Sequence, residues 1–89
     1  MTSKTVVIKS KVGLHARPAA MFVKKSRIFD CDITLQKDSR TANGKSIIGI
    51  MALGAHQNDE ITIITNGLDE DKAIVELSEL LGSIDEDDQ

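Results

Sequence analysis

Four stretches of this chain read as short strands, most cleanly where Ile33 and Leu35, and Ile61 and Ile63, recur at every second position with polar residues between, so each can bury one face and leave the other in water. Val6 and Ile8 mark the first, within residues 5–9, and Ile33 and Leu35 the second, within 32–36. Residues 40–42 form a weaker third beyond a turn at Lys37-Asp38-Ser39, and 60–65, with Ile61 and Ile63, the strongest. Strands that bury a single face belong to antiparallel sheets covered on one side. Between them the period lengthens. Ala19, Ala20, Phe22 and Val23 follow helical spacing over residues 16–27, with Ser26 extending the same face. Ser46 caps a short helix that stops at Gly54, with Ile50 and Leu53 inward. In the last helix Ala73, Ile74, Leu77, Leu80, Leu81 and Ile84 share a face, and Asp69, Glu70 and Asp71 put negative charge at the positive end of its dipole. The order β-α-β-β-α-β-α predicts an α+β fold, an open-faced β-sandwich in which a four-stranded antiparallel sheet carries three helices on one face. Strand order is not legible in this pattern.

At 89 residues the chain is one domain, with an expected radius of gyration of roughly 12 Å. Phe22 and Phe29 are its only aromatics, so the core is aliphatic. So small a fold cannot enclose a large substrate cavity beside its core, which directs any chemistry to the surface and to macromolecular partners. The single Cys31 excludes an internal disulfide and a multi-cysteine metal site, and is expected to be a small buried hydrophobe. The N-terminal residues lack the apolar stretch of a signal peptide, and no apolar run approaches a membrane span, so a reducing, cytoplasmic location is expected.

Charge divides along the chain. Residues 1–45 hold ten Lys and Arg against three acids, and residues 46–89 one against eleven. Either the halves mix on folding, or the basic half steers an acidic partner. Four of the acids lie at 85–89, read as an acidic tail after a domain of residues 1–84.

The segment Val12-Gly13-Leu14-His15-Ala16-Arg17-Pro18-Ala19-Ala20 puts a histidine where a strand gives way to a helix, and Pro18 fits the first helical turn. His15 is then near the N-cap. The backbone N–H groups of Ala16 and Arg17, with the Arg17 guanidinium, would hold a phosphate or carboxylate. Histidine, with an ordinary pKa of ~6.5, offers a neutral nucleophilic nitrogen near pH 7. Two roles remain open at this stage: a residue that caps a helix, or a phosphoryl acceptor. No Ser or Cys nucleophile has an Asp partner in a plausible order, and His56 reads as a solvated loop residue.

Asn43-Gly44-Lys45-Ser46 resembles the end of a phosphate-binding P-loop, but the first glycine that motif needs is Ser39 here and the chain is too short for that fold. Ser46 reads instead as an N-cap, where an added phosphate would be favoured by the dipole. Ile47 and Ile48 beside it make a small exposed apolar patch of the kind that docks a partner.

Gly13-Leu14-His15-Ala16-Arg17-Pro18-Ala19-Ala20 and Asn43-Gly44-Lys45-Ser46-Ile47-Ile48-Gly49-Ile50-Met51-Ala52-Leu53-Gly54, at this separation, resemble the phosphohistidine motif and regulatory serine segment of HPr. That family comprises the histidine-containing phosphocarriers of the bacterial phosphoenolpyruvate-dependent sugar phosphotransferase system, here of Gram-positive type. The resemblance covers about residues 4–84 and agrees with the fold read from the pattern. It implies a carrier rather than an independent catalyst, with no cofactor and no metal. His15 would take a phosphoryl group on Nδ1 from phosphorylated enzyme I and pass it to enzyme II A domains, with Arg17 as phosphate partner. Ser46 would be phosphorylated by HPr kinase/phosphorylase and, in that form, serve a catabolite-control transcription factor as corepressor. Ile47, Ile48, Met51 and Phe22 would belong to the shared partner surface. Gly44 departs from the larger apolar residue common at its position and is expected to loosen the turn before Ser46; Ile48 stands where methionine is common. The other reading within the resemblance is a regulatory paralogue acting mainly through phospho-Ser46, a group that usually lacks the active histidine. Direct nucleic-acid binding lacks stacking aromatics and a reading helix. The expected state is a monomer.

Overall fold

The structure is a computed structural model, and it describes residues 1–84; the acidic tail lies outside the described residues. The elements are β1 (Thr2–Val7), α1 (Ala16–Ser26), β2 (Asp32–Lys37), β3 (Arg40–Asn43), α2 (Ile47–Ala52), β4 (Glu60–Asn66) and α3 (Glu70–Ser83). All pairings are antiparallel, in the order β1-β4-β2-β3. β4, last in sequence, thus sits inside the sheet between β1 and β2, a position its alternation cannot reveal because alternation reports faces and not neighbours.

The inward positions match the pattern. Ile33 and Leu35 of β2 and Ile61, Ile63 and Thr65 of β4 are buried, while Thr34, Thr62 and Ile64 face outward and are half-buried by neighbouring strands. On that open face Thr5 and Thr62 stand opposite and share a 2.9 Å hydroxyl hydrogen bond. The helices cover the other face with an aliphatic core joined by Phe22, Phe29 and Cys31, and the Cα radius of gyration is 11.5 Å. Burial pushes the Cys31 thiol pKa up to about 11, with the Asp69 carboxylate beside it adding to the shift.

Differences from the sequence reading have local causes. β1 begins at Thr2 because its ladder with β4 runs from Thr2↔Thr65 to Val7↔Glu60. Backbone pairing at a sheet edge needs no apolar side chains, so hydropathy gave no mark there. Ile8, expected within the strand, lies just past it, yet is buried and exchanges hydrogen bonds with the 58–59 turn. In α3 Ser78 is buried, with its hydroxyl on Val75 O at 3.1 Å, whereas Leu80 is only half-buried. Asp69 occupies the N-cap of α3 without capping it; its carboxylate accepts the N–H groups of Asp30 at 2.8 Å and Cys31 at 2.9 Å. Those bonds, the one from Asp30 foremost, hold the Asp69 pKa below the ordinary carboxylate value and pin the start of α3 to the residues that lead into β2. The charged halves do meet on folding, through Lys25–Glu76 at 2.8 Å and Lys37–Asp59 at 3.3 Å.

Candidate functional site

His15 is the N-cap residue of α1, with φ −94° and ψ −169° and no capping hydrogen bond from its side chain. The imidazole is therefore half-exposed and uncommitted to the helix, while its carbonyl accepts the first helical bond, from Ala19 N at 3.1 Å. Pro18 has no N–H, so the first turn presents just two amide donors, on Ala16 and Arg17, and both residues are exposed. His15, Ala16 and Arg17, picked from sequence, thus share one helix end, where an anion would meet the dipole and two amides in the same turn as Arg17.

The turn that delivers His15 hangs on a second segment. Gly13 has φ +70°, and a Cβ there would overlap the carbonyl oxygen of Ala55. That close approach lets Leu14 N donate to Ala55 O at 3.1 Å, and Ala55 follows the end of α2. At the other end of the pair, Arg27 Nη2 donates to Lys45 O at 3.3 Å. α1 and α2 therefore run antiparallel, with the His15 turn at the C-terminal end of α2 and Ser46 at its N-terminal end. Six helical residues span ~9 Å, so His15 and Ser46 flank α2 and do not form one site.

Ser46 caps α2 as expected, its Oγ accepting Gly49 N at 3.0 Å. The turn before it is firmly held, which corrects the expectation that Gly44 loosens it. Gly44 N donates to Ile33 O at 2.7 Å, Lys45 N to Asn43 Oδ1 at 2.9 Å and Ser46 N to Asn43 O at 3.0 Å. Gly44 is buried against Ile33, and a Cβ would collide with the Ile33 side chain, so a larger residue has no room in this turn. Lys45 Nζ reaches Phe29 O at 2.7 Å and ties the turn to the loop after α1.

Ile47, Ile48 and Met51 form an exposed apolar strip on α2, with Ile48 82% exposed, while Ile50 and Leu53 point into the core. Phe22 corrects the sequence reading: it is 0% exposed, on the inward face of α1, and cannot touch a partner. Its neighbour Met21 is the exposed large apolar residue of that helix. Helical spacing marks Phe22 as core; only the family resemblance had suggested a surface role. His56 is exposed in the loop, where its N–H donates to Asp59 Oδ2 at 2.7 Å. That bond, with Lys37 adding to it, keeps the Asp59 pKa below the ordinary value. Sequence reasoning missed the Ala55 carbonyl, because a backbone acceptor leaves no residue-type signal.

A family model described as the PTS HPr component phosphorylation site matches residues 2–83. The chain belongs to the HPr family. It is 41% identical over 78 residues to the HPr-like protein Crh of Bacillus subtilis, covering 88% of this chain and 92% of that one. Crh of Halalkalibacterium halodurans is 45% identical over 74 residues, covering 83% and 88%. The crystal structure of the phosphocarrier protein HPr from Bacillus anthracis superposes with a TM-score of 0.84 at 42% identity, covering 90% of this chain and 95% of that one. The four-stranded antiparallel sheet with three helices is the architecture of those HPr structures. By family this is a carrier protein, and no helix among the described residues is long and apolar enough to cross a membrane.

Proposed function

We propose that residues 1–84 of this HPr-family chain form a cytoplasmic phosphocarrier domain of a sugar phosphotransferase system. His15 takes a phosphoryl group on Nδ1 from phosphorylated enzyme I and gives it to enzyme II A domains. In each transfer the Nδ1 lone pair forms the new bond to phosphorus as the donor's bond breaks, and the reverse frees the imidazole. The Ala16 and Arg17 amides and the Arg17 guanidinium spread the phosphate charge. The observation that carries this reading is the His15 side chain itself, half-exposed at a helix N-terminus and free of any capping bond. Ile47, Ile48 and Met51 supply the docking strip, and Ser46 is the regulatory site for HPr kinase/phosphorylase, whose product serves a catabolite-control transcription factor.

The test is intact mass after incubation with phosphoenolpyruvate and enzyme I, repeated with His15→Ala and after mild acid. A gain of one phosphate, lost in acid and absent from the variant, is expected. No gain with an enzyme I active on another carrier would overturn the reading.

The likeness to two Crh proteins favours a second reading, a regulatory paralogue working mainly through phospho-Ser46. His15 stands against it, since such paralogues, by the resemblance drawn above, usually lack that residue. A crystal structure of Bacillus subtilis Crh, with a TM-score of 0.75 to this chain, is described as a domain-swapped, intertwined dimer. The state proposed here is a monomer, and light scattering on the full chain decides between the two.

A further inference from the structure

The hairpin joining β2 to β3 closes on two cations. Lys37 and Arg40 are its last paired residues before the turn at Asp38 and Ser39, and like charges directly opposite on a ladder repel. Both side chains reach the same short segment across the molecule. Arg40 Nη1 donates to Leu53 O at 3.2 Å and Lys37 Nζ to Gly54 O at 3.3 Å, with Asp59 Oδ2 also 3.3 Å from the Lys37 ammonium. The next carbonyl along, Ala55 O, accepts the amide of Leu14, the residue before His15. Three consecutive carbonyls at the end of α2 therefore take two cations from the hairpin and one amide from the His15 turn. Such carbonyls have no helical donors of their own, and a cation is the favoured partner for that end of a helix. Asp59 completes the bracket, because the oxygen that faces Lys37 also accepts His56 N.

We infer that Lys37 and Arg40 are positioning residues for phosphoryl transfer at His15, acting by fixing the Leu53 and Gly54 carbonyls and so the segment whose next carbonyl, Ala55 O, holds the Leu14–His15 turn. The inference rests on the reading of His15 as phosphoryl acceptor. Neither cation belongs to the first turn of α1, so their effect is indirect. A cation that merely steered an acidic partner would change encounter, and with it KM and its salt dependence. One that fixes the segment carrying the Ala55 carbonyl changes kcat and the protection of the Leu14 amide together.

The variants are Lys37→Met and Arg40→Met, singly and combined, with Lys37→Arg plus Arg40→Lys as the conservative pair and Lys4→Met as a control for lost charge. Leu14 amide exchange is read by NMR, and kcat and KM for phosphorylation by enzyme I are measured on the same preparations. In the double methionine variant Leu14 exchange should rise about tenfold and kcat fall about threefold to tenfold, with KM within about twofold. The conservative pair should restore both, and Lys4→Met should match wild type. Any result in which kcat and Leu14 exchange fail to move together overturns the inference, including a salt-sensitive change confined to KM or a loss of protection spread equally over β1 and β4. A wild-type chain that accepts no phosphoryl group would instead sink the reading of His15, whereas an active wild type matched by its variants sinks this inference alone.

Discussion

Two glycines with nearly the same positive φ, Gly13 at +70° and Gly54 at +67°, allow the contact beneath His15 to be separated from backbone strain. Alanine at either position must adopt the left-handed region, at a cost of about 1 kcal/mol. At Gly54 nothing else is lost, because the nearest atom to an added Cβ is Arg40 Nη1 at 3.8 Å, an ordinary contact. At Gly13 the Cβ overlaps the Ala55 carbonyl oxygen and lies 3.1 Å from His56 Cα, so the 55–56 backbone must retreat and the Leu14–Ala55 bond is given up. Losing one such bond costs about 0.5–1.5 kcal/mol, for a total of about 1.5–2.5 kcal/mol at Gly13. In a domain of this size each kcal/mol moves Tm by roughly 4–8 °C, so Gly54→Ala should melt about 5 °C below wild type and Gly13→Ala about 10 °C below. Thermal unfolding by circular dichroism reads both, and phosphoryl uptake at 25 °C, where both variants stay folded, should slow only for Gly13→Ala. Equal losses of Tm for the two alanines would refute the argument, since the collision with Ala55 would then contribute nothing.

Further expectations follow from burial and charge. Phe22→Ala should cost about 3–5 kcal/mol as a core truncation, while Ile48→Ala should leave Tm within about 2 °C of wild type and weaken enzyme I binding. A Tm loss in the second as large as in the first would contradict the placement of those side chains. Ser46→Ala should lose about 1 kcal/mol with the cap on Gly49 N, and an unchanged denaturation midpoint would show that the cap is idle. Asp59, Asp69, Glu70 and Glu76 all have folded pKa values below their ordinary ones, through bonds from His56 N, Asp30 N, the N-terminal ammonium and Lys25 respectively. The unfolded chain therefore binds more protons in acid, so the stabilisation is present above ~pH 5 and is lost as pH falls through and below the ordinary carboxylate range of ~3.9–4.3. A Tm that stays level from pH 6 to pH 3 would be incompatible with this. Cys31, with its thiol pKa pushed to about 11, should resist alkylation in the folded chain at pH 8 and react on unfolding; fast labelling of native protein would falsify its burial.

Faces were legible in the sequence and neighbours were not. Ile33, Leu35, Ile61 and Ile63 were assigned to the core by alternation alone, and Ile50 and Leu53 by helical spacing, because both periods report which side of an element meets the core. Insertion of β4 between β1 and β2 depends on the path of the chain, which no local period encodes. The candidate site divides in the same way. His15, Arg17 and Ser46 are visible as residue types at helix starts, whereas the Ala55 carbonyl and the Asp69 carboxylate act on partners 41 and 39 residues away in sequence or nearly so, the latter on Asp30 N. Phe22 shows the reverse failure, in which a role carried over by resemblance yields to the burial its own spacing had already indicated.

The antiparallel placement of α1 and α2 gives one short helix two separate duties. Its C-terminal end supports the turn that presents His15, and its N-terminal end carries Ser46, with Ile47, Ile48 and Met51 exposed between them. A partner that covers the strip while reaching His15 must pass close to Ser46, since the helix is only ~9 Å long. A phosphate on Ser46 could then oppose an acidic partner electrostatically, at a distance comparable to the Debye length of about 8–10 Å, without touching the imidazole. Because the Asn43–Ser46 turn is already held by backbone bonds to Ile33 O and Asn43 O, the added charge has no loose loop to reorder. On the function proposed above, regulation at Ser46 would act through the field at the proposed docking strip, so its effect on transfer should weaken as salt is raised.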